Sequence, residues 1–314
     1  MLDISQLIVN LFSLFIIMVI GFVLVKCKAV PAETSKGLSA VLMNVALPAM
    51  LVYSMVSREF DAEFIRDGLI IIGLGFAEFF LFGVLSFVFA RVFKVPVPRR
   101  GSWMFASTFS NNGFMGFPIV LAVLGAPGLA LAVMLNIPQN ICVYALGPFQ
   151  IRLGSGKGGN GTGVKGVLKS LCTVINFSIV LGILLYFLRI PVPEFVQKPL
   201  LYLNNLTTAL PMLIIGMNLG AADLKSTFTD HDALTNALTR LILFPVILWA
   251  LLKLIPVNNV LIKKVLLLIY AMPTAAVAAP LSMANEGDPM LASRTTFFST
   301  VACLVTIPLI CLLP

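Results

Sequence analysis

Charge is what this chain has least of. Of its 314 residues, 11% are Asp, Glu, Lys or Arg and a single one is histidine, whereas an ordinary soluble domain is roughly one quarter charged. So few charges exclude a soluble globular protein of this length, and the mean hydropathy of +1.04 places the chain among multi-pass membrane proteins. The lone His231 sits in the polar loop Asp230-His-Asp232 with no set of His, Cys and carboxylate ligands around it, so no metal site is expected. The five cysteines are scattered, without a Cys-x-x-Cys pair or the pattern of a secreted disulfide framework, and read as packing residues. No apolar run holds paired catalytic acids, a nucleophile with its base or a His-Glu-x-x-His set, so an intramembrane enzyme is disfavoured. Residues 1–25 lack a basic leader and a small-residue cleavage site, which predicts a retained first span. No nucleotide motif is complete: Gly-Ser-Gly-Lys157 follows no strand and lacks the Ser or Thr of a phosphate loop, so no cofactor is expected.

Basic residues outnumber acidic ones, 21 to 13, for a formal charge of +8. They lie in short loops between apolar runs, where membrane topology and anionic lipid explain them better than nucleic acid does. The apolar runs predict ten helical spans, near 4–25, 35–56, 67–90, 102–124, 128–151, 167–188, 196–219, 233–254, 260–283 and 290–313. Between the fifth and sixth lies a glycine-rich basic stretch that reads as a linker, residues 152–166, separating a first half (1–151) from a second (167–314). The halves match. Pro118, Gly125, Pro127, Leu129 and Ala130 correspond to Pro280, Gly287, Pro289, Leu291 and Ala292 at one constant offset, and Ala46-Leu-Pro48 is echoed by Ala209-Leu-Pro211. Five spans per half force the second copy to enter the membrane from the opposite side, giving an all-α fold of two inverted five-helix repeats. Lys and Arg are denser in loops after odd-numbered spans, so both termini are expected on the non-cytoplasmic side of the plasma (inner) membrane. The basic loop between the eighth and ninth spans runs against that bias.

The fourth span contains Ser107-Thr-Phe-Ser-Asn-Asn-Gly-Phe-Met-Gly-Phe-Pro118 and the ninth contains Ala271-Met-Pro-Thr-Ala-Ala-Val-Ala-Ala-Pro280. Proline removes an N–H and clashes with the carbonyl four residues back, and glycine loosens the chain, so both spans are expected to break. Broken backbone at membrane depth survives only inside protein or beside a wet cavity, and it points to a transporter's binding site. Two such breaks crossing near the midplane would direct backbone N–H groups and amides at one point, which suits an anion. The substrate-binding candidates are therefore Asn111, Asn112, Gly113, Pro118, Pro273, Thr274 and Pro280, together with Gln139 and Asn140 of the fifth span. The bland reading of those two amides is interhelical hydrogen bonding, as it is for Asn44 and Asn218. Glu78 and Arg240, also at the repeat's offset, are the ionisable residues well inside apolar runs. Glu78 fits a proton-coupling acid and a structural partner equally; Arg240 either draws anions or snorkels to the headgroups. Glu286 and Asp288 fit a solvated loop, with proton coupling as the sharper role for Glu286.

Asn111-Asn-Gly-Phe-Met-Gly-Phe-Pro118, Ala271-Met-Pro273 and Ala284-Asn-Glu-Gly-Asp-Pro289 resemble the auxin efflux carrier family, which includes plant PIN exporters and bacterial permeases for malate or malonate. The resemblance spans essentially the whole chain and departs at Asn112-Gly113, where plant members carry bulkier residues. It implies a bile-acid symporter-like fold and an elevator mechanism. Spans one, two, six and seven would form a scaffold that dimerises through the second and seventh, and spans three to five and eight to ten would carry the substrate. Asn111 with Pro118 would form one crossover element, Pro273 and Pro280 the other, with Gln139 near the site. The expected function is a secondary transporter of a small organic anion. A sodium symporter and a transporter-like sensor stand as alternatives.

Overall fold

A computed structural model describes residues 4–158, 163–221 and 229–313, so the middle of the expected linker, 159–162, lies outside the described residues. Among the described residues the protein is helical, with one isolated β-bridge. The helices are α1 (Ile4–Lys26), α2 (Thr34–Val56), α3 (Ala62–Val92), α4 (Val97–Thr108), α5 (Asn112–Gly154) and α6 (Val164–Leu171). They continue as α7 (Val174–Phe187), α8 (Glu194–Ala221), α9 (His231–Leu254), α10 (Val260–Tyr270), α11 (Ala278–Ala284) and α12 (Pro289–Cys311). Seven of these are long and apolar enough to cross a membrane, and an eighth joins them if the bent pair α6–α7 is one span. The protein is a multi-pass membrane protein.

Fewer helices reach spanning length than the ten apolar runs suggest, for reasons that lie in the backbone. The fourth run is split: α4 stops at Thr108 because Phe109 turns to extended backbone (φ −107°, ψ 130°). The fifth run continues from the fourth as α5, which bends sharply at Gly125, whose φ of 69° belongs to the left-handed region that glycine reaches without strain. The ninth run is divided into α10 and α11 by the residues around Pro273. The sixth run bends by 75° between α6 and α7. There Thr173 is extended and its hydroxyl accepts from the Asn176 N–H at 3.2 Å, so it starts α7 as an N-cap.

Three prolines share a local trace. Wide π turns occupy Leu42–Ala46, Asn112–Gly116 and Thr239–Leu243, and each ends two residues before a proline: Pro48, Pro118 and Pro245. The extra residue in a π turn moves the carbonyl that the pyrrolidine ring would strike, so the helix continues past the proline.

The chain forms two compact units. The first takes Met1–Asp67, Gly113–Val133 and Cys172–Ala222; the second takes Gly68–Asn112, Met134–Leu171 and Asp223–Pro314. In the first, α1 and α8 meet backbone to backbone. A Cβ on Gly21 would lie 2.2 Å from the Leu213 carbonyl oxygen, and one on Gly216 only 1.9 Å from that of Met18. Gly216-Met-Asn-Leu-Gly220 is thus a small-residue stripe that lets two apolar helices touch where lipid gives no hydrophobic drive to pair them. Asn10 Nδ2 donates to the Ala122 carbonyl at 2.8 Å, tying α1 to the early part of α5.

The second unit is packed with aromatics: Phe79, Phe82, Phe105, Phe109, Trp103, Phe244 and Tyr270 are fully buried. Phe82 stacks on Tyr270 with ring centroids 4.4 Å apart and packs on Phe244 at 4.8 Å. At one end of this unit, Arg99 binds Asp230, Asp232 and Asp288, while Arg294 also binds Asp230 at 2.8 Å. Asp230 and Asp288 cap α9 and α12, so this one cluster fixes where two helices begin and ties both to Arg99 in the first turn of α4. Burial alone would raise the Asp230 carboxyl. The hydrogen bonds from Arg99 and Arg294, with the Arg99 charge and the Ala233 N–H, outweigh it and hold that carboxyl below the usual carboxylate range.

Candidate functional site

Two of the helix breaks are joined within the second unit. Ser110 and Thr274 form an antiparallel bridge in which the Asn111 N–H donates to the Pro273 carbonyl at 2.8 Å and the Ala275 N–H to the Phe109 carbonyl at 2.9 Å. Proline has no N–H, so Pro273 takes part through its carbonyl alone. Side chains complete the pairing. Thr274 donates through its hydroxyl to the Ala106 carbonyl at 2.9 Å, and its N–H donates to Ser299 Oγ at 3.2 Å. Gln139, on α5, donates from Nε2 to the Ser110 carbonyl at 2.7 Å.

A helix that stops inside protein leaves carbonyls unsatisfied at its C-terminal end. Here a single side chain meets them. Arg240, on the π turn of α9 and fully buried, donates to the carbonyls of Ser107 (3.0 Å) and Thr108 (3.1 Å) at the end of α4. It also donates to those of Tyr270 (2.6 Å) and Met272 (3.0 Å) at the end of α10, and its guanidinium lies 4.3 Å from the centre of the Tyr270 ring. The cation thus meets the negative ends of two helices at once. The snorkelling alternative for Arg240 is ruled out by this burial. Glu78, on α3 and 4% exposed, interacts electrostatically with Arg240, yet both its carboxylate oxygens are buried without a hydrogen-bond partner among the described residues.

The remaining candidates divide. Asn111 and Asn112 are both buried in the second unit. The Asn112 side-chain oxygen accepts from Ser110 Oγ at 3.0 Å, which turns its amide nitrogen away; that nitrogen is buried and has no partner among the described residues. Asn140 is half-buried next to Gln139 on α5. Gly113 and Pro118 belong to the first unit, where Pro118 is buried and Gly113 approaches Leu47. Pro280 is exposed, within α11. Glu286 is set apart from the bridge: half-exposed, it accepts from Arg152 at 3.2 Å and faces Lys157 at 3.8 Å.

Ser110, Ser299 and Tyr270 were not among the residues the sequence singles out. Ser110 lies in the polar stretch that marks the first break and was legible there. Ser299 and Tyr270 carry no local signal, because Ser299 accepts from a backbone N–H far away in the chain and Tyr270 meets Arg240 through its own carbonyl and its ring.

The family described as membrane transport protein matches residues 6–159 and 163–311 of this chain. Among curated relatives, an uncharacterized transporter of Methanocaldococcus jannaschii is 27% identical over 283 residues, 88% of this chain and 89% of its own length. An uncharacterized transporter of Methanothermobacter thermautotrophicus is 24% identical over 297 residues, 95% of each chain.

Proposed function

Because this chain belongs to the membrane transport protein family, the group of the auxin efflux carriers, we propose that it is a secondary transporter for a small organic anion, a carboxylate such as malate, malonate or an auxin-like acid. One observation carries the anion: the buried Asn112 amide nitrogen, aimed by Ser110 and lacking an acceptor among the described residues, beside the paired breaks. A buried donor without an acceptor is costly, and a carboxylate oxygen supplies what it lacks. Gln139 acts by holding the Ser110 backbone.

The inverted repeat draws support from the helix ends. α4 ends at Thr108 and α10 at Tyr270, the same spacing as between Pro118 and Pro280. An elevator mechanism follows the family's pattern: α1, α2, α7 and α8 would act as the anchored part, dimerising through α2 and α8, and α3, α4, the later part of α5 and α9 to α12 would carry the substrate. Sodium coupling through unwound carbonyls is the weaker reading, since Arg240 already engages four of them. Glu78 is our candidate for a coupling proton.

The test is uptake of labelled malate, malonate and indole-3-acetate into liposomes holding the purified protein, with a pH gradient, a sodium gradient or a potential imposed in turn. Saturable uptake of one acid, lost in Asn112→Ala with folding intact, is expected. Absence of uptake under every gradient, alongside ligand-dependent thermal stabilisation, would convert the reading to a sensor.

A further inference from the structure

The basic loop between α9 and α10 is not used by the paired breaks or by the Arg99 cluster. Inside the second unit, a cavity of about 300 Å³ opens where α9 ends and α10 begins. Its lining includes Lys253, Lys263 and Lys264, with Trp249, Leu252 and Leu267 as the apolar part, and among the described residues none of the lining is acidic. Lys253 Nζ lies 3.8 Å from the centre of the Trp249 ring, and Lys263 Nζ donates to the Ile255 carbonyl at 2.9 Å. Among the described residues none of the three lysines forms an ion pair. Lys263 and Lys264 also sit one turn into α10, near the positive end of its dipole and with no acidic residue in that first turn, where cations are unfavourable. Three uncompensated cations around one cavity therefore lack an anion.

We propose that this cavity binds the phosphate headgroup of an anionic phospholipid, the phosphodiester among Lys253, Lys263 and Lys264 and the glycerol and first acyl carbons against Trp249, Leu252 and Leu267. A tryptophan one turn from the end of a spanning helix marks the headgroup level of a bilayer, so this is the depth at which such a lipid presents its charge. A free inorganic phosphate would satisfy the lysines but leave the apolar wall uncovered. A zwitterionic lipid would cover the wall but bring its own cation to a site already holding three. An anionic phospholipid matches both halves, and it accounts for a loop whose charge runs against the topological bias.

The experiment uses the whole protein, purified and placed in nanodiscs of phosphatidylcholine with or without phosphatidylglycerol, read by thermal midpoint and by native mass spectrometry for retained lipid. Phosphatidylglycerol is expected to raise the midpoint and leave a one-lipid adduct. In Lys253→Gln/Lys263→Gln/Lys264→Gln, affinity for it should fall by about a hundredfold. Separate arms add glycerol 3-phosphate or inorganic phosphate, which should do neither. Equal stabilisation by phosphatidylcholine, an undiminished adduct in the triple variant, or the full shift from inorganic phosphate alone would each overturn the proposal. If the triple variant does not fold, Lys264→Glu, at an exposed position, decides it. Loss of the adduct supports the site and its persistence overturns it.

Discussion

Arg240 is bound to four backbone carbonyls, so its removal strands four buried acceptors at two helix ends. Each buried acceptor left alone costs about 1–3 kcal/mol. Arg240→Gln is therefore expected to lower the thermal midpoint sharply and to abolish uptake; a variant with normal stability would show that the guanidinium is not what holds the two ends. Glu78→Gln keeps the volume and removes the titrating proton. It should leave folding intact and flatten the pH dependence of uptake, measured as initial rate against external pH, whereas an unchanged profile returns Glu78 to a structural role. Sequence alone flagged both residues as costly inside apolar runs, but it was silent on their environment. Arg240's partners are backbone oxygens, which any residue supplies, so no side-chain pattern announces them.

The proline-bearing elements were the legible part of the fold, and their detailed geometry was the hidden part. Pro118 and Pro273 marked the two breaks, and Gly125 fell where the fourth and fifth runs were separated. The strand-like pairing of Ser110 with Thr274 was not visible, because it is made by backbone groups 164 positions apart. Nor were the π turns, whose only sequence trace is the proline two residues on. The turn Thr239–Leu243 carries Arg240, so its geometry has a functional consequence. Pro245→Ala lets that turn relax to an ordinary helix, which rotates Arg240 relative to the carbonyls it holds. Uptake should fall while the helical content seen by circular dichroism is unchanged or higher. Retention of full uptake would show that the π turn does not set the position of Arg240.

At the scale of the molecule, the cluster around Arg99 makes the second unit acid-sensitive. The folded-state value for Asp230 lies below that of the unfolded chain, so its contribution is fully present above the unfolded value, roughly pH 4, and disappears as pH falls through the lowered folded value. The thermal midpoint should drop below about pH 4. Asp230→Asn should be less stable at neutral pH by on the order of 1–2 kcal/mol and should converge with the unsubstituted protein in acid; a constant difference at every pH would remove Asp230 from that role. In the first unit, Gly216→Leu drives a side chain into the Met18 carbonyl and should cost at least about 1–3 kcal/mol, read as a lower midpoint.

That same contact between α1 and α8 fixes an order of events during synthesis. The surface that α1 needs lies on Glu194–Ala221, so the first helix made must wait in the bilayer, the close-approach point at Gly21 covered by lipid or by an insertase, until some two hundred residues have followed it. Nascent chains released before that point hold α1 without the helix that meets its backbone at Gly21, and they are the ones open to membrane quality control.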